Sequence, residues 1–311
     1  MNIFFEDEIV KTNLTYNYYL MISNISLLKK KYQFLKVGTI GNSVLNRKIP
    51  YIKIGTGKKE ILYQSSIHAN EWITALLSMK FIENFAKSYI SDEKIFGYRA
   101  KYLFENCSLY IIPMMNPDGV DLVTGYFRKN EKEYKNAKKV SENYSNILFP
   151  SGWKANINGV DLNLQFPAGW KKAKKIKYLQ GFTNPAPRDF VGTLPIIEPE
   201  AVALYNFTIK NNFRLTISFH SQGKVIYWRY LNYFPKNSFE IANKFSKVSG
   251  YELEDTPTSA SFAGYRDWFI EKFNRPAFTV EVGLGENPLP ISQFNEIYRD
   301  VEGIFVLGMT L

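Results

Sequence analysis

The stretch Ile61–Trp72 constrains the fold more than any other. An apolar run that reads as a buried strand ends at His68. Glu71 follows three residues on, and Trp72 opens a helical pattern. Trp72, Ile73, Leu76, Leu77, Met79, Phe81, Ile82 and Phe85 recur at helical spacing. Similar strand-like runs recur at Asn106–Met115, Leu215–His220 and Phe278–Val282, each separated from the next by helical patterns. Such alternation specifies an α/β fold, with a mixed, mostly parallel twisted sheet and helices on both faces. A length of 311 residues allows one large domain or two small ones. No internal repeat, low-complexity tract or break in composition marks a second domain.

His68 therefore stands at a strand's C-terminal end and Glu71 in the first turn of the next helix. In open α/β sheets that edge is where ligands bind. A His-x-x-Glu turn alone is most often structural. Scarcity changes its weight, because the chain has only two histidines. The other, His220, also ends an apolar run and precedes the turn-like Ser221-Gln-Gly223. Two histidines and one carboxylate so disposed suit a zinc ion with a fourth position open to water.

The remaining elements follow from pattern. A short helix is expected near Tyr16–Tyr32, then strands Val37–Gly41 and Arg47–Ile54 joined by a polar turn. Asn116-Pro-Asp-Gly119 is a strong turn signal. From Thr124 to Asn158 the chain is polar, and reads either as a mobile surface loop or as the wall of a substrate groove. A second irregular stretch covers Lys171–Leu194. Glu198-Pro-Glu-Ala starts a helix. A short strand at Val225–Tyr230, helices near Asn237–Val248 and Phe262–Phe273, and a closing amphipathic helix at Ile291–Leu307 complete the pattern.

Composition narrows the class. The formal charge of +10 fits attraction to a polyanion such as nucleic acid or cell wall, or simply a lysine-rich solvated surface. The lysine runs at 29–31 and 171–177 lack an Arg-and-aromatic RNA motif, so no nucleic-acid partner is expected. The 24 Phe and 21 Tyr scatter through the strand and helix patterns and belong to the core. The single cysteine, Cys107, reads as a buried small hydrophobe, compatible with a reducing compartment. The first residues lack a basic region followed by an apolar one, and no run is long enough to span a membrane. A cytoplasmic protein is the expectation.

Five segments occur in a telling order: His68-x-x-Glu71, Asn116-Pro-Asp-Gly119, Gly159-Val-Asp-Leu-Asn163, Ser218-Phe-His-Ser221 and Thr279-Val-Glu281. Together they resemble the zinc carboxypeptidase (carboxypeptidase A-like) family, from about Val37 to the C-terminus. Ser151-Gly-Trp-Lys-Ala-Asn156, Leu164-Gln-Phe-Pro-Ala-Gly-Trp170 and Glu281-Val-Gly-Leu-Gly-Glu-Asn-Pro-Leu-Pro290 resemble the bacterial γ-D-glutamyl-diaminopimelate endopeptidases. Those enzymes cut cell-wall stem peptides, notably in sporulation, which makes spore association an expectation too. The resemblance implies a catalytic domain at 37–311 with an extension, 1–36, packed on it. It also implies a monomer or weak homo-oligomer acting on murein stem peptides.

The resemblance implies roles for named residues. His68, Glu71 and His220 would hold one zinc ion. Glu281 would be the general base, an assignment helped by its place in an apolar strand, where an inward carboxylate is costly without a purpose. Lys154 falls where relatives use an Arg to stabilise the oxyanion, with Arg128 as the substitute if the long excursion folds back. Asn163 would help hold a substrate carboxylate. Carboxypeptidases follow that Asn with an Arg that clamps the terminal carboxylate, and here Leu164 replaces it. An apolar side chain cannot make that bidentate contact. Arg266, in the position that lines the specificity pocket, would favour an acidic group such as the second carboxylate of diaminopimelate. The family's covering Tyr falls near Ser259, which has no phenol, and that role stays unassigned.

The leading expectation is hydrolysis of the γ-D-glutamyl–diaminopimelate bond. A carboxypeptidase for acidic C-terminal residues is the alternative that Arg266 permits and Leu164 opposes. A catalytically weak, wall-binding relative is the third reading.

Overall fold

A computed structural model describes residues 8–257 and 260–311. An eight-stranded sheet runs through it. Across the sheet the strands are Lys36–Asn42, Lys48–Ile54, Cys107–Ile112, Lys59–Ser65, Leu215–His220, Ala277–Glu281, Val225–Tyr227 and Glu252–Glu254. The four central strands, Cys107–Ile112 through Ala277–Glu281, are mutually parallel; the strands on either side join them antiparallel, and the outermost pair, Val225–Tyr227 with Glu252–Glu254, is again parallel. The expected mixed, mostly parallel sheet is therefore present.

Both faces of the central strands are covered, which is why those strands read as unbroken apolar runs rather than alternating ones. Ile61 and Tyr63 face a core with Phe81, Phe219 and Phe305, built on the helices Ile73–Ile90 and Phe294–Thr310. Leu62 faces the opposite core with Phe166, Trp268 and Phe269. Phe305 stacks between Phe81 and Phe219, at 4.6 and 4.3 Å between ring centroids. The Tyr63 hydroxyl donates to the Phe305 carbonyl at 3.0 Å. The N-terminal helix Tyr18–Lys31 is capped by Asn17, whose side chain accepts from Leu20 N, and buries Met21, Ile25 and Leu28 in the first core. Cys107 is buried there too, and burial pushes its thiol up to about 12.

Three expectations change locally. The irregular Lys171–Leu194 stretch begins with a helix, Trp170–Leu179. Five of its ten residues are lysine, which masked a narrow apolar side made by Trp170 and Ala173. The polar excursion holds another helix, Lys132–Ser141, anchored by Phe127, Ala137 and Trp153 in a small core of its own. Asn116-Pro-Asp-Gly119 is a helix start rather than a free turn. Asn116 caps the helix Pro117–Val123 by accepting from Gly119 N. Among the described residues no helix is long and apolar enough to cross a membrane.

Candidate metal centre and substrate cavity

Because the four central strands are parallel, their C-terminal ends share one edge. His220 and Glu281 pair in register on adjacent strands. His68 follows the strand Lys59–Ser65 and caps the short turn Ala69–Glu71, which leads into helix Ile73–Ile90. The loop is braced from several directions. Ser66 N is held by Thr74 Oγ1, and the Ser66 hydroxyl donates to the Glu71 carbonyl. Asn116 Nδ2 reaches both the Ile67 and the Ala155 carbonyls. Ala69 N donates to the Lys154 carbonyl at 3.0 Å.

Three buried side chains converge here. His68 Nδ1 lies 2.9 Å from Glu71 Oε1, His220 Nδ1 lies 3.0 Å from Glu71 Oε2, and the two Nδ1 atoms are 3.2 Å apart. One donor atom from each of His68, Glu71 and His220 lies within 4.8 Å of the others. Two imidazole nitrogens of like type turned toward each other and toward one carboxylate fit a shared cation, and the N/O donor set suits zinc. Without metal, protons serve instead. Burial opposes charge on His68, but Glu71 and Asp161 hold its pKa up at about 9. Burial likewise opposes charge on Glu71, yet His68 and Lys154 keep its carboxyl well below the usual range.

A cavity of about 340 Å³ opens beside these residues. His68, His220, Lys154, Asn163, Arg266 and Glu281 all line it. Lys154 Nζ is 3.2 Å from Glu71 Oε1, and that carboxylate keeps the ammonium charged despite burial. Burial pushes the Glu281 carboxyl up, with His220 opposing. Asn163 Oδ1 accepts from Tyr265 N, fixing the start of helix Tyr265–Phe273 against the cavity. Arg266 is buried, not on a helix surface. Its Nε and one terminal nitrogen are held by Asp267, and Thr256 takes a further bond at 2.7 Å.

Arg128 is not brought to this site. It is exposed ahead of the helix Lys132–Ser141, and its backbone N–H is taken by Glu131. The excursion is pinned by its own small core instead of folding back. Ser259 lies outside the described residues. Tyr265 points into the core, its hydroxyl 3.0 Å from Thr208.

Three cavity residues escaped the sequence reading. Asp161 Oδ1 is 3.2 Å from His68 Nε2, and its other oxygen accepts from Asp189 N. A carboxylate behind a ligating imidazole fixes its tautomer and orientation. The signal was present in Gly159-Val-Asp-Leu-Asn163, where Asp161 passed unremarked. Tyr227 lines the cavity but is one tyrosine among 21. Arg188 comes from the irregular stretch and carries no sequence signal.

A covered mixed sheet with two histidines and a glutamate at its carboxyl edge has the makings of a zinc-dependent enzyme. A family model, "Zinc carboxypeptidase", matches residues 21–302. The chain is 44% identical over 303 residues to the gamma-D-glutamyl-L-diamino acid endopeptidase 1 of Lysinibacillus sphaericus, covering 97% of this chain and 74% of that protein. An uncharacterized protein of Bacillus subtilis is 36% identical over 277 residues, covering 88% of this chain and 71% of that one. Bovine thrombin-activatable fibrinolysis inhibitor superposes with a TM-score of 0.72 at 19% identity, over 96% of this chain and 97% of that one. The chain belongs to the zinc carboxypeptidase family of metallopeptidases.

Proposed function

We propose that this protein hydrolyses the γ-D-glutamyl–diaminopimelate bond of murein stem peptides. The observation that carries the substrate is the relative named for γ-D-glutamyl-L-diamino acid endopeptidase activity, which aligns along nearly the whole chain. Two cavity residues support it. Leu164, where carboxypeptidases clamp a terminal carboxylate, disfavours ordinary C-terminal trimming. Arg266, fixed by Asp267 and Thr256, offers a cation in the wall of the cavity. We assign catalysis to residues 37–311 and take 1–36 as an extension, whose described residues pack on the rest through Met21, Ile25 and Leu28.

His68, Glu71 and His220 hold the metal in this reading. Zinc bound there supplies a Lewis acid and a water acidified to a pKa of about 7. Glu281 takes the proton from the attacking water and delivers it to the leaving amine. Its burial suits that exchange, because a raised carboxyl pKa brings it nearer the operating pH. Lys154 places an ammonium against the developing charge on the carbonyl oxygen. Being a point charge rather than a fork, it gives less geometric control than an arginine. Asn163 and Arg266 receive the carboxylates of the diamino acid.

The test is mass spectrometry of products after zinc-loaded protein meets L-Ala-γ-D-Glu-meso-diaminopimelate. Release of L-Ala-D-Glu is expected. An uncut peptide, with zinc demonstrably bound, would overturn the substrate assignment while leaving the family unaffected.

A further inference from the structure

The chemistry above leaves Arg188 without a role, yet the fold places it deliberately. A second cavity of about 490 Å³ adjoins the first. The two share only Lys154, Arg188, Tyr227 and Glu281. Their junction therefore lies beside the proposed base and oxyanion donor, where the scissile carbonyl must sit. The first cavity, with Asn163 and Arg266, takes the leaving amine. The second, lined by Asn70, Ser151 and Asn287, is left for the acyl side.

Arg188 is fixed at that junction by a strap of backbone bonds. The Pro187 carbonyl accepts from Lys154 N and Ala155 N at 2.7 and 2.9 Å. Asp161 N donates to the Phe190 carbonyl at 2.8 Å, and Ala186 N donates to the Gly159 carbonyl at 2.9 Å. The guanidinium donates through Nε to Asp189 Oδ2. Lys177 Nζ engages the other oxygen of Asp189 at 2.6 Å. Asp189 thus answers two cations, while Asp161 and Glu71 act on Arg188 only through space. Among the described residues nothing hydrogen-bonds the terminal nitrogens of Arg188, and its side chain is 45% exposed. A guanidinium held by Nε presents its free end as a fork for a carboxylate.

We propose that Arg188 binds the free α-carboxylate of the γ-glutamyl residue on the acyl side of the scissile bond. This rests on the function proposed above. In a γ-glutamyl peptide the scissile carbonyl lies at the end of the side chain, and two methylenes and the α-carbon separate it from a free carboxylate. Among α-linked residues only glutamate carries a carboxylate at the same separation from the scissile carbonyl. Arg188 thereby distinguishes a γ-glutamyl acyl group from α-linked residues without such a carboxylate, and the acid from its α-amide.

The test compares L-Ala-γ-D-Glu-meso-diaminopimelate with the analogue whose D-Glu α-carboxylate is amidated, using wild type, Arg188→Ala and Arg188→Lys. Wild type should favour the acid in kcat/KM about 10- to 100-fold, mainly through KM, as expected of a charged hydrogen-bonded pair. Arg188→Ala should lower the acid to the level of the amide, and Arg188→Lys should recover part of the difference. Calorimetric binding of L-Ala-D-Glu and of its α-amide to zinc-loaded Glu281→Gln protein, with and without Arg188→Ala, gives a readout independent of turnover. Folded Arg188→Ala protein that keeps the wild-type ratio of acid to amide would overturn the role of Arg188 and leave the substrate reading intact. Wild type that cuts both substrates equally would do the same. Wild type that cuts neither would bring down the γ-glutamyl reading, and this inference with it.

Discussion

Asp161 Oδ1 lies 3.2 Å from His68 Nε2, on the side of the imidazole away from Glu71. Asp161 is itself held by the N–H groups of Asn163 and Asp189. It orients His68 and makes the ring a better donor to a cation. Asp161→Asn keeps the shape and removes the charge, and should weaken zinc binding about 10- to 100-fold. Competition with a chelator measures this, and unchanged affinity would refute it. With a His68 pKa of about 9 in the metal-free protein, zinc uptake at pH 7 must also release protons, so affinity should rise with pH up to that value.

In the proposed mechanism Glu281 carries the proton transfer and lies outside the His68, Glu71 and His220 metal set. Glu281→Gln should lower kcat about 10²- to 10⁴-fold with bound zinc unchanged. Metal analysis of the purified variant beside its turnover on the stem peptide separates the two effects. Loss of zinc together with activity would make Glu281 a structural partner of the metal site.

Glu200, which lines neither cavity, should give a pH-dependent stability. Burial pushes its carboxyl from 4.5 to about 7. An acid that binds its proton more tightly when folded favours the native state fully below the unfolded pKa. That advantage is lost as pH rises from about 4.5 to about 7. The swing is on the order of 3 kcal/mol. Glu200→Gln should remove this contribution, so urea midpoints at pH 5 and pH 8 should lie closer together than in wild type. An unchanged gap would disprove it.

Gly308 marks the closest approach of the last helix to the sheet. A Cβ built there would lie 1.9 Å from Tyr63 Oη. Tyr63 cannot yield easily, since its hydroxyl bonds the Phe305 carbonyl and its ring is wholly buried. Gly308→Ala should cost about 1–3 kcal/mol of stability. Thermal melting tests this, and a wild-type melting temperature would show that the helix can shift freely.

The sequence made some of this site legible and hid the rest for physical reasons. His68, Glu71 and His220 stood out because strand ends are easy to find and histidine is rare in this chain. Glu281 stood out because a carboxylate in an apolar strand demands an explanation. The central strands were plain because burial on both faces leaves an uninterrupted apolar run. Arg188 and Tyr227 were invisible because nothing local distinguishes a loop arginine or a strand-end tyrosine that faces a cavity. Only the strap of long-range backbone bonds gives Arg188 its position. Arg128 misled because an arginine near the matching segment looked able to fold back, whereas Phe127 and Trp153 tie that segment into a separate core.

The parallel strands that end in His220 and Glu281 cross the buried interior, while Lys154, Asp161 and Arg188 sit on connecting segments laid against them. The proposed base and one metal ligand therefore stand on strands, whereas His68, Glu71, Lys154 and Arg188 stand on the segments between elements. Under the role proposed for Arg188, exchange of the Pro185–Phe190 segment among relatives would alter acyl-group selection while His220 and Glu281 keep their places, so loops can diverge while the sheet stays constant.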